Sequence, residues 1–140
     1  MTLVDTSVWI EVFRLRNPLD LERLVPFDEV VTCLPVIQEV LQGFRDDNAY
    51  HLAREAMSAL PLVESPIGAD CVHTAIDLYR VARRKGITIR SSVECLIAAC
   101  AIRHQLEVLH IDRDYRALSK ISDLRSRPAR QTNSPTLHSL

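Results

Sequence analysis

Two short apolar runs each stop at an aspartate, and this constrains the fold more than any other feature of the chain. Met1-Thr2-Leu3-Val4 is followed by Asp5, and Val108-Leu109-His110-Ile111 is followed by Asp112. Apolar runs this short read as buried strands, and the helical patterning between them favours a parallel sheet covered on both faces. Open parallel sheets place ligand sites at the carboxyl ends of their strands. Asp5 and Asp112 are therefore expected at such ends.

The segments between alternate in kind. Residues 5–15 have helical spacing, which Asn17-Pro18 interrupts, and residues 29–33 form a second β-prone run. Pro35 occupies a first-turn position of a helix predicted to reach about residue 44. Asp46-Asp47-Asn48 offer caps for the next helix, with Leu52, Ala56 and Leu60 on one face and Ala49, Ala53 and Met57 widening it. Residues 61–66, bounded by prolines, break the chain. A long helix is predicted over 69–85, with Val72, Ala75, Ile76, Tyr79 and Ala82 at helical spacing and Gly86 closing it; the amphipathic helices around Leu52 and Val72 could offer grooves to a partner. Ser91-Ser92 precede residues 93–102, apolar almost all round and expected to be the central buried helix. A strand over 107–111 and a helix over 115–119 follow. From residue 126 onward Arg, Pro, Ser, Thr and Asn leave little to bury, so 126–140 is expected to be a mobile tail behind one domain over 1–125. The fold class is α/β, with a parallel sheet of four or five strands flanked by helices.

At 140 residues, 47% hydrophobic and 25% charged, the chain can build a core without disulfides or structural zinc. No apolar run approaches the roughly 20 residues of a spanning helix, and the N-terminus lacks the pattern of a secretory signal. A cytoplasmic location with no membrane partner is the expectation. Cys33, Cys71, Cys95 and Cys100 form no C-x-x-C pair and lie in apolar contexts, as reduced thiols do. The histidines show no zinc spacing. Net charge is −1, yet residues 1–47 hold nine acidic and four basic side chains, whereas 80–130 hold twelve basic and five acidic ones. That asymmetry suits a molecule that gathers a cation in one half and tracks phosphates with the other. For the cluster Arg80, Arg83, Arg84 and Lys85 taken alone, a solvated helix end is the better explanation.

Two further acids stand beside apolar segments. Glu39 lies within Val36-Ile37-Gln38-Glu39-Val40-Leu41, and Glu94 opens the buried helix. Each of the four has a plain explanation. Asp5 and Asp112 could cap helices, Glu94 completes the capping box Ser91-x-x-Glu94, and Glu39 could face solvent. Carboxylates gathered in one cleft, however, either take up protons or bind a hard cation. The cation would also lower the pKa of a bound water and offset charge on a phosphate, which points to metal-assisted hydrolysis.

At this point the motifs resemble a family. Val4-Asp5-Thr6-Ser7-Val8-Trp9-Ile10 resembles the opening of the PIN-domain ribonucleases, in particular the VapC-type toxins of bacterial toxin–antitoxin pairs. Glu39-Val40-Leu41-Gln42-Gly43 resembles their second acidic motif, Ser92-Val93-Glu94-Cys95-Leu96-Ile97-Ala98-Ala99 their third, and His110-Ile111-Asp112-Arg113-Asp114-Tyr115 their fourth. The four stand in register over residues 1 to about 120. The resemblance implies a PIN-like three-layer fold and a metal-dependent endoribonuclease, the toxin of a type II pair. It further implies one or two Mg²⁺ or Mn²⁺ ions on Asp5, Glu39, Glu94 and Asp112, with Thr6, Ser7 and Asp114 positioning water or substrate. Arg90, Arg113 and Arg116 would meet RNA phosphates. RNA is the implied substrate, a VapB-type antitoxin the implied partner, and a homodimer the implied assembly.

One position departs from the pattern. The third motif usually carries aspartate where Glu94 stands, and the extra methylene lengthens the reach by about 1 Å. A weakened nuclease that works by binding antitoxin or RNA is therefore the alternative, and on this reasoning Glu94→Asp raises activity. A third reading, an aspartyl-phosphate enzyme with Asp5 as nucleophile, wants a second aspartate where Ser7 stands. Trp9 and Phe13 are expected in the core, and with 5% aromatic residues the chain has few platforms for stacked bases.

Overall fold

Thr2–Val4 (β1) lies at the centre of a five-stranded sheet in the computed structural model, which describes residues 1–130. Val30–Cys33 (β2) and Leu62–Val63 (β3) follow on one side, Glu107–His110 (β4) and Arg125–Pro128 (β5) on the other, and every pairing is parallel. Parallel pairing puts all five carboxyl ends at one edge. The chain leaves β1 in one direction and returns to pair on its far side, so the crevice between β1 and β4 is the point where such sheets bind ligands.

Helices connect the strands. Thr6–Val12 (α1) starts directly after β1, Leu34–Gln42 (α2) directly after β2, and Asp47–Ser58 (α3) leads toward β3. Ala69–Arg84 (α4) and Ser92–Arg103 (α5) bring the chain back to β4, and Arg113–Ser119 (α6) joins β4 to β5. The central helix is α5, as its composition predicts: Cys95, Ile97, Ala98, Ala99, Cys100 and Ala101 are all buried. It precedes a parallel strand, so it runs opposite to β4 and its first turn arrives at the carboxyl edge of the sheet. Leu3, Val4, Val8, Ile97 and Leu109 are fully enclosed, and each contributes roughly 1.5–3 kcal/mol by leaving water.

Helices α4 and α5 end in the same way. Gly86, with φ +76°, donates to the Arg83 carbonyl at 3.0 Å while Ile87 donates to the Ala82 carbonyl at 2.8 Å. This paired motif needs a left-handed residue just past the helix. At the end of α5 Gln105 takes that place with φ 56°, and Leu106 donates to the Ala101 carbonyl at 2.8 Å, turning the chain into β4.

Several expectations need correction. β3 lies inside the segment expected only to break the chain, and its two residues carry too little pattern to read. Residues 126–128, expected in the tail, belong to β5, where Val108 pairs with Ser126 and Leu109 with Arg127. Arg-Ser-Arg-Pro has no apolar alternation because it is an edge strand, anchored by buried Leu124 and by Arg127 Nε, 3.2 Å from Glu107 Oε1. Residues 131–140, the rest of that expected tail, lie outside the described residues. In two helices the apolar spacing covers more than the buried face. Cys71, Ala75, Leu78 and Ala82 of α4 are buried while Val72, Ile76 and Tyr79 lie outward, and in α3 Ala53 and Met57 are buried while Leu52 is exposed. Trp9 is buried and stacks on Phe13 with ring centroids 5.8 Å apart, as core residues do.

Candidate active site

Asp5 ends β1 and caps α1. Its backbone N–H donates to the Leu109 carbonyl at 2.9 Å, joining it to β4. Oδ2 accepts from the Ser7 amide at 3.0 Å and the Ser7 hydroxyl at 2.6 Å. Oδ1 accepts from the buried Tyr115 hydroxyl at 2.6 Å. Burial, then the charge of Asp5, raises the Tyr115 pKa well above its usual value, so the phenol stays a donor. The Ser7 oxygen in turn accepts from the Ile111 amide at 3.0 Å. Ser7 thus ties the ends of β1 and β4 together through its hydroxyl, which donates to Asp5 and accepts from Ile111.

Thr6 Oγ1 donates to Glu39 Oε1 at 2.8 Å and draws the α2 carboxylate toward the end of β1. Its observed part is to orient Glu39. Across the edge, Asp112 caps α6: its Oδ1 accepts from the Asp114 amide at 2.9 Å. This turn swings the Asp114 side chain inward, where it is buried.

Glu94, Asp112 and Asp114 form the tightest group, with ligand-capable oxygens all within 4.8 Å of one another. Asp5 and Glu39 stand outside that triplet, yet near enough for their charges to act on Glu94. Partial burial foremost, then the charges of Asp112, Asp114, Glu39 and Asp5, push the Glu94 carboxyl up to about 7. All four predicted acids therefore act on one region of the carboxyl edge, and Asp114 joins them more closely than its expected water-positioning part implies. The capping box does not form as drawn from sequence: Ser91 Oγ accepts from the Val93 amide at 3.1 Å, and Glu94 turns to the acids instead.

Arg90 also differs from expectation. Its Nη2 donates to Asp112 Oδ1 at 2.8 Å, its Nε lies 3.5 Å from Asp114 Oδ2, and its backbone N–H donates to that same oxygen at 3.2 Å. In this state the guanidinium is paired with the acids. Arg113 and Arg116 are exposed beside them and make no ion pair among the described residues. His110 accepts the Asp112 amide at Nδ1 at 3.3 Å, and burial lowers its pKa, so the ring is neutral near pH 7. Sequence reasoning missed the Tyr115 bond to Asp5. The one available signal was Tyr115's place in the fourth motif.

The donor set suits a small hard cation. Octahedral coordination at about 2.1 Å puts opposite oxygens about 4.2 Å apart, so a triplet within 4.8 Å closes on an ion by small side-chain rotations. Every ligand atom is a carboxylate oxygen, the type that Mg²⁺ and Mn²⁺ prefer.

Comparison with known proteins gives the family and the fold. The PIN domain model matches residues 2–121. A VapC ribonuclease of Mycobacterium bovis is 35% identical over 131 residues, covering 90% of this chain and 97% of the relative, and ribonuclease VapC11 of Mycobacterium tuberculosis matches equally. Among solved structures, VapBC2 from Rickettsia felis bound to a promoter DNA fragment superposes with TM-score 0.75 at 15% identity, over 92% of this chain and 98% of that one. VapBC-5 from Mycobacterium tuberculosis gives TM-score 0.70 at 22% identity, over 91% and 98%. At these identities the two superpositions speak for the fold alone.

Proposed function

The chain belongs to the PIN-domain family, among the VapC ribonucleases, and on that footing we propose that it is a Mg²⁺- or Mn²⁺-dependent endoribonuclease, the toxin of a type II toxin–antitoxin pair. The observation that carries this reading is the convergence of Glu94, Asp112 and Asp114, with Asp5 and Glu39 acting on the same carboxyl, at the carboxyl edge of the sheet. These side chains hold one or two divalent ions. A bound ion supplies a water of lowered pKa and offsets negative charge on the phosphodiester.

The chain's own groups prepare that site. Tyr115 and Ser7 fix the rotamer of Asp5, and Thr6 fixes Glu39, so the carboxylates are aimed before a ligand arrives. Asp112 and Asp114 are held by the first turn of α6. Arg113 and Arg116, exposed beside the acids, lie where an RNA backbone meets the site and supply charge to its phosphates. The binding-only alternative rests on Glu94, and the position of that carboxyl within the triplet favours a working ligand.

A VapB-type antitoxin as partner is supported by the VapBC complexes among the structural relatives. A homodimer and a cytoplasmic setting complete the proposal. No helix among the described residues is long and apolar enough to cross a membrane, and four free, buried cysteines suit a reducing compartment. Asp5→Asn and Asp112→Asn, assayed for RNA cleavage at matched Mg²⁺, test the mechanism. Both should keep the fold and lose cleavage, since an amide retains shape without the charge that holds the ion. Cleavage near the wild-type rate by both variants refutes it.

A further inference from the structure

Arg90 lies in the short linker between α4 and α5, and its guanidinium sits on two of the three clustered carboxylates. The two partners are enclosed, with 16% of the Asp112 side chain and 4% of the Asp114 side chain exposed, whereas 58% of the Arg90 side chain is open to water. Little packing holds the guanidinium down. What keeps the linker in place is separate: the Arg90 backbone N–H donates to Asp114 Oδ2, and Ile89 beside it is buried. The side chain can leave without unfastening the chain.

A divalent ion on Asp112 and Asp114 and a guanidinium on the same oxygens exclude each other by charge and by space. The pairing distance of 2.8 Å to Asp112 Oδ1 leaves no room for an ion on that lone pair. Resting on the metal reading above, we propose that Arg90 is a resident counter-ion of the acidic centre. It competes with the divalent cation for Asp112 and Asp114, and the cation's arrival frees it to bind a phosphate of the incoming RNA. Metal loading and phosphate capture are thereby coupled through one side chain. In the absence of metal Arg90 offsets part of the carboxylate repulsion. Once displaced, its planar fork stands at the rim of the cleft, where a phosphate matches its geometry.

The test is Mn²⁺ titration of the full chain by calorimetry, with RNA absent, for the wild type, Arg90→Gln, Arg90→Lys, Arg113→Gln and Asp112→Asn. Arg90→Gln should bind Mn²⁺ about three- to tenfold more tightly, because the competitor is gone. Arg90→Lys, which keeps the charge but not the fork, should fall between it and the wild type. Arg113→Gln removes the same charge from an exposed neighbour and should gain clearly less. Binding of a short RNA oligonucleotide, measured in Ca²⁺, which takes carboxylate oxygens without the tight octahedral geometry of Mg²⁺, should weaken in Arg90→Gln, with a salt dependence shallower by about one phosphate contact.

Equal Mn²⁺ affinity in the wild type and Arg90→Gln overturns the proposal, as do equal gains in Arg90→Gln and Arg113→Gln, which would reflect bulk charge alone. If Asp112→Asn loses Mn²⁺ binding while Arg90→Gln matches the wild type, only the competition fails and the metal site stands. If Asp112→Asn binds Mn²⁺ as the wild type does, or neither binds, both readings fall.

Discussion

Replacing Glu94 by glutamine should make the metal-free protein more stable above neutral pH. Burial and four neighbouring carboxylates hold the Glu94 carboxyl at about 7 against an ordinary value of 4.5. At about 1.4 kcal/mol per pH unit, that difference corresponds to about 3.5 kcal/mol as an upper bound. The side chain is only partly enclosed, and solvent screening reduces the figure to about 1–2 kcal/mol. The sign follows from proton binding. The fold holds this proton more tightly than the unfolded chain does, so stability is fullest below about pH 4.5 and falls as pH rises through about 7. Glutamine carries no such charge and escapes the loss.

Urea unfolding of both proteins in EDTA, at pH 4.5 and pH 8, measures the effect. Glu94→Gln should gain about 1–2 kcal/mol at pH 8, a rise in Tm of about 3–8 °C, and close to nothing at pH 4.5. High salt should shrink the part of the gain that comes from carboxylate repulsion and leave the largest contribution, which comes from burial. Saturating Mn²⁺ should reverse the ranking at pH 8, because the cation stabilises the wild-type cluster more. Equal stability at pH 8, or a gain independent of pH, refutes the claim that these carboxylates crowd one another.

Two other substitutions probe the same centre. Glu94→Asp should weaken Mn²⁺ binding and leave turnover unchanged or lower. The sequence alone favours a gain, but Glu94 already reaches Asp112 and Asp114, and shortening withdraws the carboxyl by about 1 Å; higher Mn²⁺-dependent turnover would restore the argument from sequence. Tyr115→Phe removes the hydroxyl 2.6 Å from Asp5 Oδ1 in a buried setting and should cost about 1–3 kcal/mol. Urea midpoints matching the wild type would show that Asp5 does not depend on that bond.

The parts of the fold legible in the sequence are those with strong local pattern. The apolar run before Asp5 and the almost wholly apolar α5 announce a buried strand and a buried helix, and both are where the pattern puts them. Gly86 marks the end of α4 because its left-handed backbone is needed there. Edge strands were not legible: Leu62–Val63 is too short for alternation, and Arg125–Pro128 is polar because its outer side needs no partner. In α3 and α4, Leu52, Val72, Ile76 and Tyr79 repeat with helical spacing yet lie outward, so the spacing does not separate them from the buried face. Hydrophobic spacing identifies a helix more surely than it orients one. At the site, residue type exposed the acids, but their hydrogen bonds to Tyr115, Thr6 and Arg90 span 110, 33 and 22 residues, and no local pattern encodes such pairings.

Capping and catalysis are not rival explanations for these acids. Asp5 and Asp112 each cap a helix, and the cap fixes the carboxylate: backbone N–H groups hold one edge while the remaining lone pairs stay available. A carboxylate oxygen accepts two bonds, so Asp112 Oδ1 with its capping amide retains the second position that Arg90 occupies. The helix N-termini add positive potential that offsets part of the cost of bringing charges together. Glu94 lacks that support, since Ser91 caps α5 alone, and it is the acid among them whose carboxyl is driven up to about 7. A cation on the cluster would do for Glu94 what backbone amides do for Asp5 and Asp112. Hydrogen bonds hold Asp5, Glu39 and Asp112 in place without any ion, and Glu94 is the carboxyl whose ionisation such a cation would favour most.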